Sequence, residues 1–238
     1  MVHIVDLSHR LFPGVQRFRL EVKEASVEKY VPEYRVPEGE WYIMEDIEVC
    51  THVGTHVESP YHAIRDGGKV SDIDIRRLIG EAAIVDFTDK GYQEPITASE
   101  LEERGRHIVE GDIVLIKTGL SRYYQTPQYK RPYLETGAVE WMIEKRIKCL
   151  GIDCSGIENR AVDNHEINHR KLFKHDIPLI EDMNNLHRLK DNRVFFIALP
   201  LPIEGLDASL IRPIAVEPLK AVKQLSSIFS WDAIWEGF

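Results

Sequence analysis

Short runs rich in β-branched and other apolar residues recur along the chain, at residues 4–5, 45–51, 82–87, 113–117, 150–152 and 194–199. Several are bounded by Gly, Pro or Asp, and runs of this kind predict strands. Gly111-Asp112 ahead of Ile113-Val-Leu-Ile predicts a turn feeding a buried strand. Helical patterning is rarer. Thr97-Ala-Ser-Glu100 has the form of an N-cap followed three residues later by glutamate, and predicts a helix running to about Gly105. Residues 137–148 place Val139, Met142, Ile143 and Ile147 at helical spacing and end on basic residues that suit a helix C-terminus. Strands outnumber helices, so the pattern predicts a mixed α/β layout. No Pro/Ser/Gly-rich linker divides it, and residues 1–238 are expected to form one domain.

Residues 11–40 break the pattern, being rich in Pro, Glu and Arg with little periodicity. Such a segment either reaches over a functional site or is a solvated connection, the commoner case for a loop. The formal net charge of −9 excludes the basic footprint of a nucleic-acid or anionic-membrane binder. A small-molecule substrate is the expected partner. Three cysteines without a C-x-x-C pair predict no disulfide framework. The start lacks a basic segment followed by an apolar run, and no apolar stretch approaches the roughly 20 residues of a membrane helix. A cytoplasmic location is the resulting expectation.

Candidate chemistry concentrates in His52-Val-Gly-Thr-His56-Val-Glu58-Ser-Pro-Tyr-His62. Imidazole and carboxylate are the usual ligands of zinc, manganese and iron. On a straight strand His52 and His56 would stand ~13 Å apart, too far for easy convergence on one ion. On a helix Glu58 would swing away from His56, and Thr51, Val53, Thr55 and Val57 disfavour helix in any case. Gly54 permits a sharp bend, so a kinked segment that gathers the side chains is expected. The alternative is a half-exposed strand that is merely rich in histidine.

His165-Glu-Ile-Asn-His169 matches the H-E-x-x-H pattern of zinc proteases, and His175 stands where a third ligand would follow. Leu172 occupies the position of the glycine that lets such proteases turn, and the preceding stretch is too polar for a buried helix. Further on, the apolar run from Ile177 ends in Glu181. A carboxylate there either meets a cation, because an unpaired buried charge is costly, or opens a solvated loop.

The eleven residues from His52 to His62 resemble the H-x-G-T-H-x-D-x-P-x-H signature of the cyclase-like metal hydrolases, which include bacterial kynurenine formamidase and isatin hydrolase. Weaker similarity runs from Val5-Asp6-Leu7-Ser8-His9 through Gly111–Gly119, Gly151-Ile152-Asp153, His169 to Glu181 and Asn185-Leu186 to Leu201–Asp207. The resemblance implies a single-domain β/β/α cyclase-like fold of the swivelling type, assembled as a homodimer or homotetramer. It also implies zinc or manganese, as one or two ions, held by His52, His56, Glu58, His169 and Glu181, with His62 as catalytic acid/base. The implied activity is hydrolysis of a C–N amide bond of the arylformamidase kind, as in tryptophan breakdown to kynurenine. A lactone or cyclic-amide hydrolase or cyclase, a metal-binding protein without catalysis, and a protease are the alternatives. Two departures stand out. Glu58 replaces the family aspartate, and Leu11-Phe12-Pro13-Gly14-Val15 lacks the tryptophan and aspartate that flank Pro-Gly in the formamidases.

Overall fold

A computed structural model describes residues 2–159 and 167–226. Strand β1 (His3–Asp6) opens the chain, followed by β2 (Leu20–Ser26), β3 (Ile43–Val49) and β4 (His56–Glu58). Then come β5 (Ile79–Asp86), β6 (Pro95–Ile96), helix α1 (Ala98–Arg104), β7 (Ile113–Lys117), β8 (Tyr133–Leu134) and α2 (Thr136–Glu144). The remainder is β9 (Cys149–Ile152), α3 (Ile167–Phe173), β10 (Leu179–Glu181), β11 (Arg193–Ile197), β12 (Ala208–Leu210), β13 (Ile214–Glu217) and α4 (Leu219–Ser226).

Nine strands form one mixed sheet in the order β1-β13-β11-β5-β7-β9-β10-β4-β12. Its centre, β5-β7-β9-β10, is parallel and its flanks are antiparallel. Parallel strands covered on both faces read as continuous apolar runs, and Ile113-Val-Leu-Ile is one. Val114 and Ile116 enter the core beneath α1–α3 with Leu101, Met142 and Leu172. Ile113 and Leu115 enter a second core with Leu7, Val57 and Phe196 on the other face.

Helix α1 follows the expectation closely. Thr97 caps it, Glu100 closes the capping box, and Gly105 ends it. Helix α2 is shorter than the pattern predicts. It stops at Glu144, and Arg146 takes a left-handed conformation so that Lys148 can turn toward β9 and donate to the Asp112 carbonyl at 2.9 Å. The strand expected at residues 45–51 ends at Val49 and lies outside the main sheet, paired with β2 in a separate two-stranded ribbon. All three cysteines are free. Among the described residues no helix is long and apolar enough to cross a membrane.

Candidate metal centre

Sheet register gathers the first ligand candidates. Strand β4 lies between β10 and β12, with Glu181 directly opposite His56. Residues two apart on a strand share a face, so His56 and Glu58 point the same way, and Glu181 joins them from across the ladder. His52 precedes the strand and must fold back to reach them. Gly54 makes that turn with φ +65, and Leu11 packs so closely that a Cβ at Gly54 would lie 2.5 Å from its Cδ2. Both the left-handed backbone and the close approach require glycine.

The fifth candidate arrives from α3. Asn168, His169, Leu172 and Phe173 form its buried face, which turns His169 inward. His62 lies in a short 3-10 turn opened by Pro60, immediately after β4.

The side chains converge. His52 Nδ1 is 3.1 Å from both His56 Nε2 and Glu58 Oε1. His56 Nε2 is 3.4 Å from Glu58 Oε1, while His169 Nε2 is 3.5 Å from Glu58 Oε2 and 3.5 Å from Glu181 Oε1. These contacts define two three-residue groups, His52/His56/Glu58 and Glu58/His169/Glu181, which share Glu58. Ligand atoms ~2.1 Å from a tetrahedral ion lie ~3.4 Å from one another, close to the observed spacings.

Hydrogen bonds on the far side of each ring set its orientation. His56 Nδ1 donates to the Gly54 carbonyl at 2.7 Å, and His169 Nδ1 donates to Glu158 Oε1 at 2.9 Å. In the neutral ring each bond leaves Nε2, facing the cluster, with its lone pair, as an imidazole ligand needs. Meanwhile Glu58 Oε2 and Glu181 Oε1 are buried and accept no hydrogen bond among the described residues. Buried charges without partners are costly, so this donor set fits a divalent cation. Burial opposes charge on His52 and His169, yet carboxylate hydrogen bonds overcome it and raise each pKa to about 10. Burial likewise opposes the Glu58 carboxylate, but bonds to His52 and His56 hold it well below its usual range. The pocket selects positive charge, which an ion supplies when the imidazoles are neutral.

Asp207 was singled out in the sequence only as part of a weak C-terminal match. It receives His52 Nε2 at 2.9 Å, His62 Nδ1 at 3.1 Å and Thr51 Oγ1 at 3.0 Å. Glu158 was likewise unmarked, sitting in the polar stretch before the H-E-x-x-H pattern. Neither lies near its histidine in sequence, so no local pattern could reveal them.

His165 and Glu166 of that pattern lie outside the described residues. Of the rest, His169 joins the cluster above, and His175 is exposed in the turn after α3 and belongs to none of the groups. Residues 11–40 are more than a solvated connection, the reading favoured for a loop. Arg17 and Phe18 line the cavity of about 400 Å³ over the metal candidates, together with Cys50 and Ser155. They also line an adjoining cavity of about 420 Å³ walled by Tyr124 and Tyr129. The fold brings this loop back over β4 because β2 and β3 return the chain to Cys50, directly ahead of His52.

Residues 5–159 match the family model described as Putative cyclase. Kynurenine formamidase of Bacillus cereus is 31% identical over 171 residues, which is 71% of this chain and 77% of the relative. Kynurenine formamidase of Bacillus anthracis is likewise 31% identical over the same share of each chain. Among solved structures, isatin hydrolase A from Labrenzia aggregata superposes with a TM-score of 0.76 at 22% identity, covering 90% of this chain and 93% of the other. The mixed α/β cyclase-like fold is thereby established.

Proposed function

The chain belongs to the Putative cyclase family, whose relatives include metal-dependent hydrolases, and from that premise we propose that it is an amidohydrolase of the arylformamidase kind. The observation that carries the proposal is the meeting of two orphaned buried carboxylate oxygens with three inward imidazoles, beside a fourth histidine held by its own carboxylate. The kynurenine formamidase relatives support amide over ester chemistry.

In this reading His52, His56, Glu58, His169 and Glu181 hold zinc or manganese, as one ion or as two sharing Glu58. The groups contain imidazole and carboxylate but no thiolate, a set that suits both metals. When bound, such an ion polarises a carbonyl and lowers the pKa of a coordinated water toward about 7.

The protein's own part is proton handling and positioning. Asp207 accepts the Nδ1 proton of His62 and so fixes the ring, leaving Nε2 turned toward the cluster, 3.8 Å from Glu58 Oε1. His62 Nε2 accepts a proton from the attacking water and passes it to the nitrogen as the C–N bond breaks, so that a formyl aryl amide and water yield formate and the aryl amine. Arg17 and Phe18 line the cavity. His9, stacked on Tyr124 at 4.0 Å, stays neutral at working pH because burial lowers its pKa to about 4.

The test is turnover by metal-loaded protein of N-formylkynurenine and N-formylaniline beside a panel of lactones and aryl esters. Formate release from the amides, lost in His62→Ala with metal content retained, is expected. Hydrolysis of lactones or esters with no amide turnover overturns the reading.

A further inference from the structure

His52 presents both ring nitrogens to groups that can bind a cation. Its Nδ1 faces His56 and Glu58 in the centre described above, and its Nε2 lies 2.9 Å from Asp207 Oδ2. His62 Nδ1 reaches the same oxygen at 3.1 Å, and the His52 and His62 ring centroids are 4.5 Å apart. His52, His62 and Asp207 therefore make a third group of potential ligands, the one among the described residues that does not use Glu58. Thr51 Oγ1 donates to Asp207 Oδ1 at 3.0 Å, which orients the carboxylate and leaves Oδ2 to the two rings. Burial separates this group from the centre. The side chains of His56, Glu58, His169 and Glu181 are 2–7% exposed, whereas those of His52, His62 and Asp207 are 18%, 23% and 32% exposed.

We propose that His52, His62 and Asp207 form an inhibitory zinc site, filled from solvent when zinc exceeds what the centre takes, with His52 shared between the two. Two imidazoles and a carboxylate, with water in the fourth position, are a ligand set for an exchangeable zinc ion. Sites of this kind rank zinc above manganese. The protons balance. With an ion on each nitrogen His52 is an imidazolate, and its ring proton passes to solvent, since binding at such ligands releases protons. His62 keeps its proton but carries it on Nε2, because the ion takes the Nδ1 lone pair. That tautomer cannot accept a proton from an attacking water, and Asp207 no longer receives the Nδ1 proton that fixes the ring. The excess ion thus blocks proton transfer while the buried centre stays loaded. Its effect on turnover rests on the proposed function; its binding does not.

Equilibrium dialysis of the full chain against rising free zinc tests this, with bound zinc and formate release from N-formylaniline measured on the same samples. The expected wild-type result is a plateau set by the centre, then one further equivalent per chain. Turnover is expected to fall by about a hundredfold as that equivalent enters, the scale of general acid–base catalysis. Asp207→Ala is expected to keep the first plateau and lose the further equivalent; His62→Ala serves the same purpose should that variant misfold. Counting ions needs no turnover, so if no formyl amide is hydrolysed the proposed function fails and the count still decides this site. Wild-type protein that takes up no further equivalent overturns the proposal. So does a further equivalent that folded Asp207→Ala or His62→Ala protein retains, or one that enters an active wild type without lowering its turnover.

Discussion

His62 Nδ1 lies 3.1 Å from Asp207 Oδ2, across 145 residues of chain, so the ring that follows β4 is held by a carboxylate from the segment leading into β12. A carboxylate at that position fixes both the orientation and the tautomer of the imidazole, and leaves Nε2 facing the Glu58 cluster.

Asp207→Asn keeps the side-chain volume and removes the charged acceptor. The expected result is a fall in kcat of about 10–100-fold with KM little changed. Steady-state kinetics on the formyl amide, with metal content measured on the same samples, separates this from loss of the ion. An unchanged kcat means Asp207 does not position His62.

Glu158 reaches the cluster through His169, whose Nδ1 proton it accepts at 2.9 Å and whose backbone N–H it accepts at 3.0 Å. Glu158→Gln is expected to lower metal affinity by about 10–100-fold, since partners on the far ring nitrogen orient the ligand. Competition with a chromogenic chelator measures the change. Equal affinity in the variant contradicts the role.

Gly54→Ala forces a Cβ into Leu11 and an L-residue into a left-handed turn. A destabilisation of about 1–3 kcal/mol is expected, read by urea denaturation, together with weaker metal retention as His52 is displaced. Wild-type stability and metal content would show that the bend tolerates any small residue.

Glu217 supplies a pH-dependent term away from the site. It is buried and accepts from His3 Nδ1 at 2.8 Å and from the Lys190 and Asp191 backbone N–H groups at 3.0 and 3.1 Å. Burial opposes its charge, but these donors outweigh burial and hold its pKa below the ordinary 4.5. A carboxylate with a lowered folded pKa stabilises the fold above pH 4.5, and the contribution is lost as pH falls through the folded value. Glu217→Gln should therefore cost about 1–2 kcal/mol at pH 7 and progressively less below pH 4.5. Denaturation curves at several pH values check this, and a cost that stays constant or grows in acid refutes it.

The central parallel strands were legible because burial on both faces forces a continuous apolar run, as in Ile113–Lys117. Helix α1 was legible because its caps are local, Thr97 at one end and Gly105 at the other. The bend at Gly54 followed from a reach argument on His52 and His56. Short strands such as Ala208–Leu210 carry too few residues to show a period, and α3 packs its buried face through only two turns. Asp207 and Glu158 owe their roles to partners distant in sequence, which no motif records. The loop carrying Arg17 and Phe18 looked like a connection because nothing in its composition reveals that the β2–β3 ribbon returns the chain to the site.

Five side chains converge from β4, β10, α3 and the bend at Gly54, and the proposed function requires them to hold a divalent cation. Elemental analysis of the purified chain, after incubation with zinc or manganese and removal of excess, tests it most directly. At least one equivalent per chain is expected in the wild type and a small fraction of that in Glu58→Ala, which removes the carboxylate common to both groups of ligands. Wild-type protein that retains no metal, or Glu58→Ala protein that retains as much as wild type, would show that these side chains do not form a metal site.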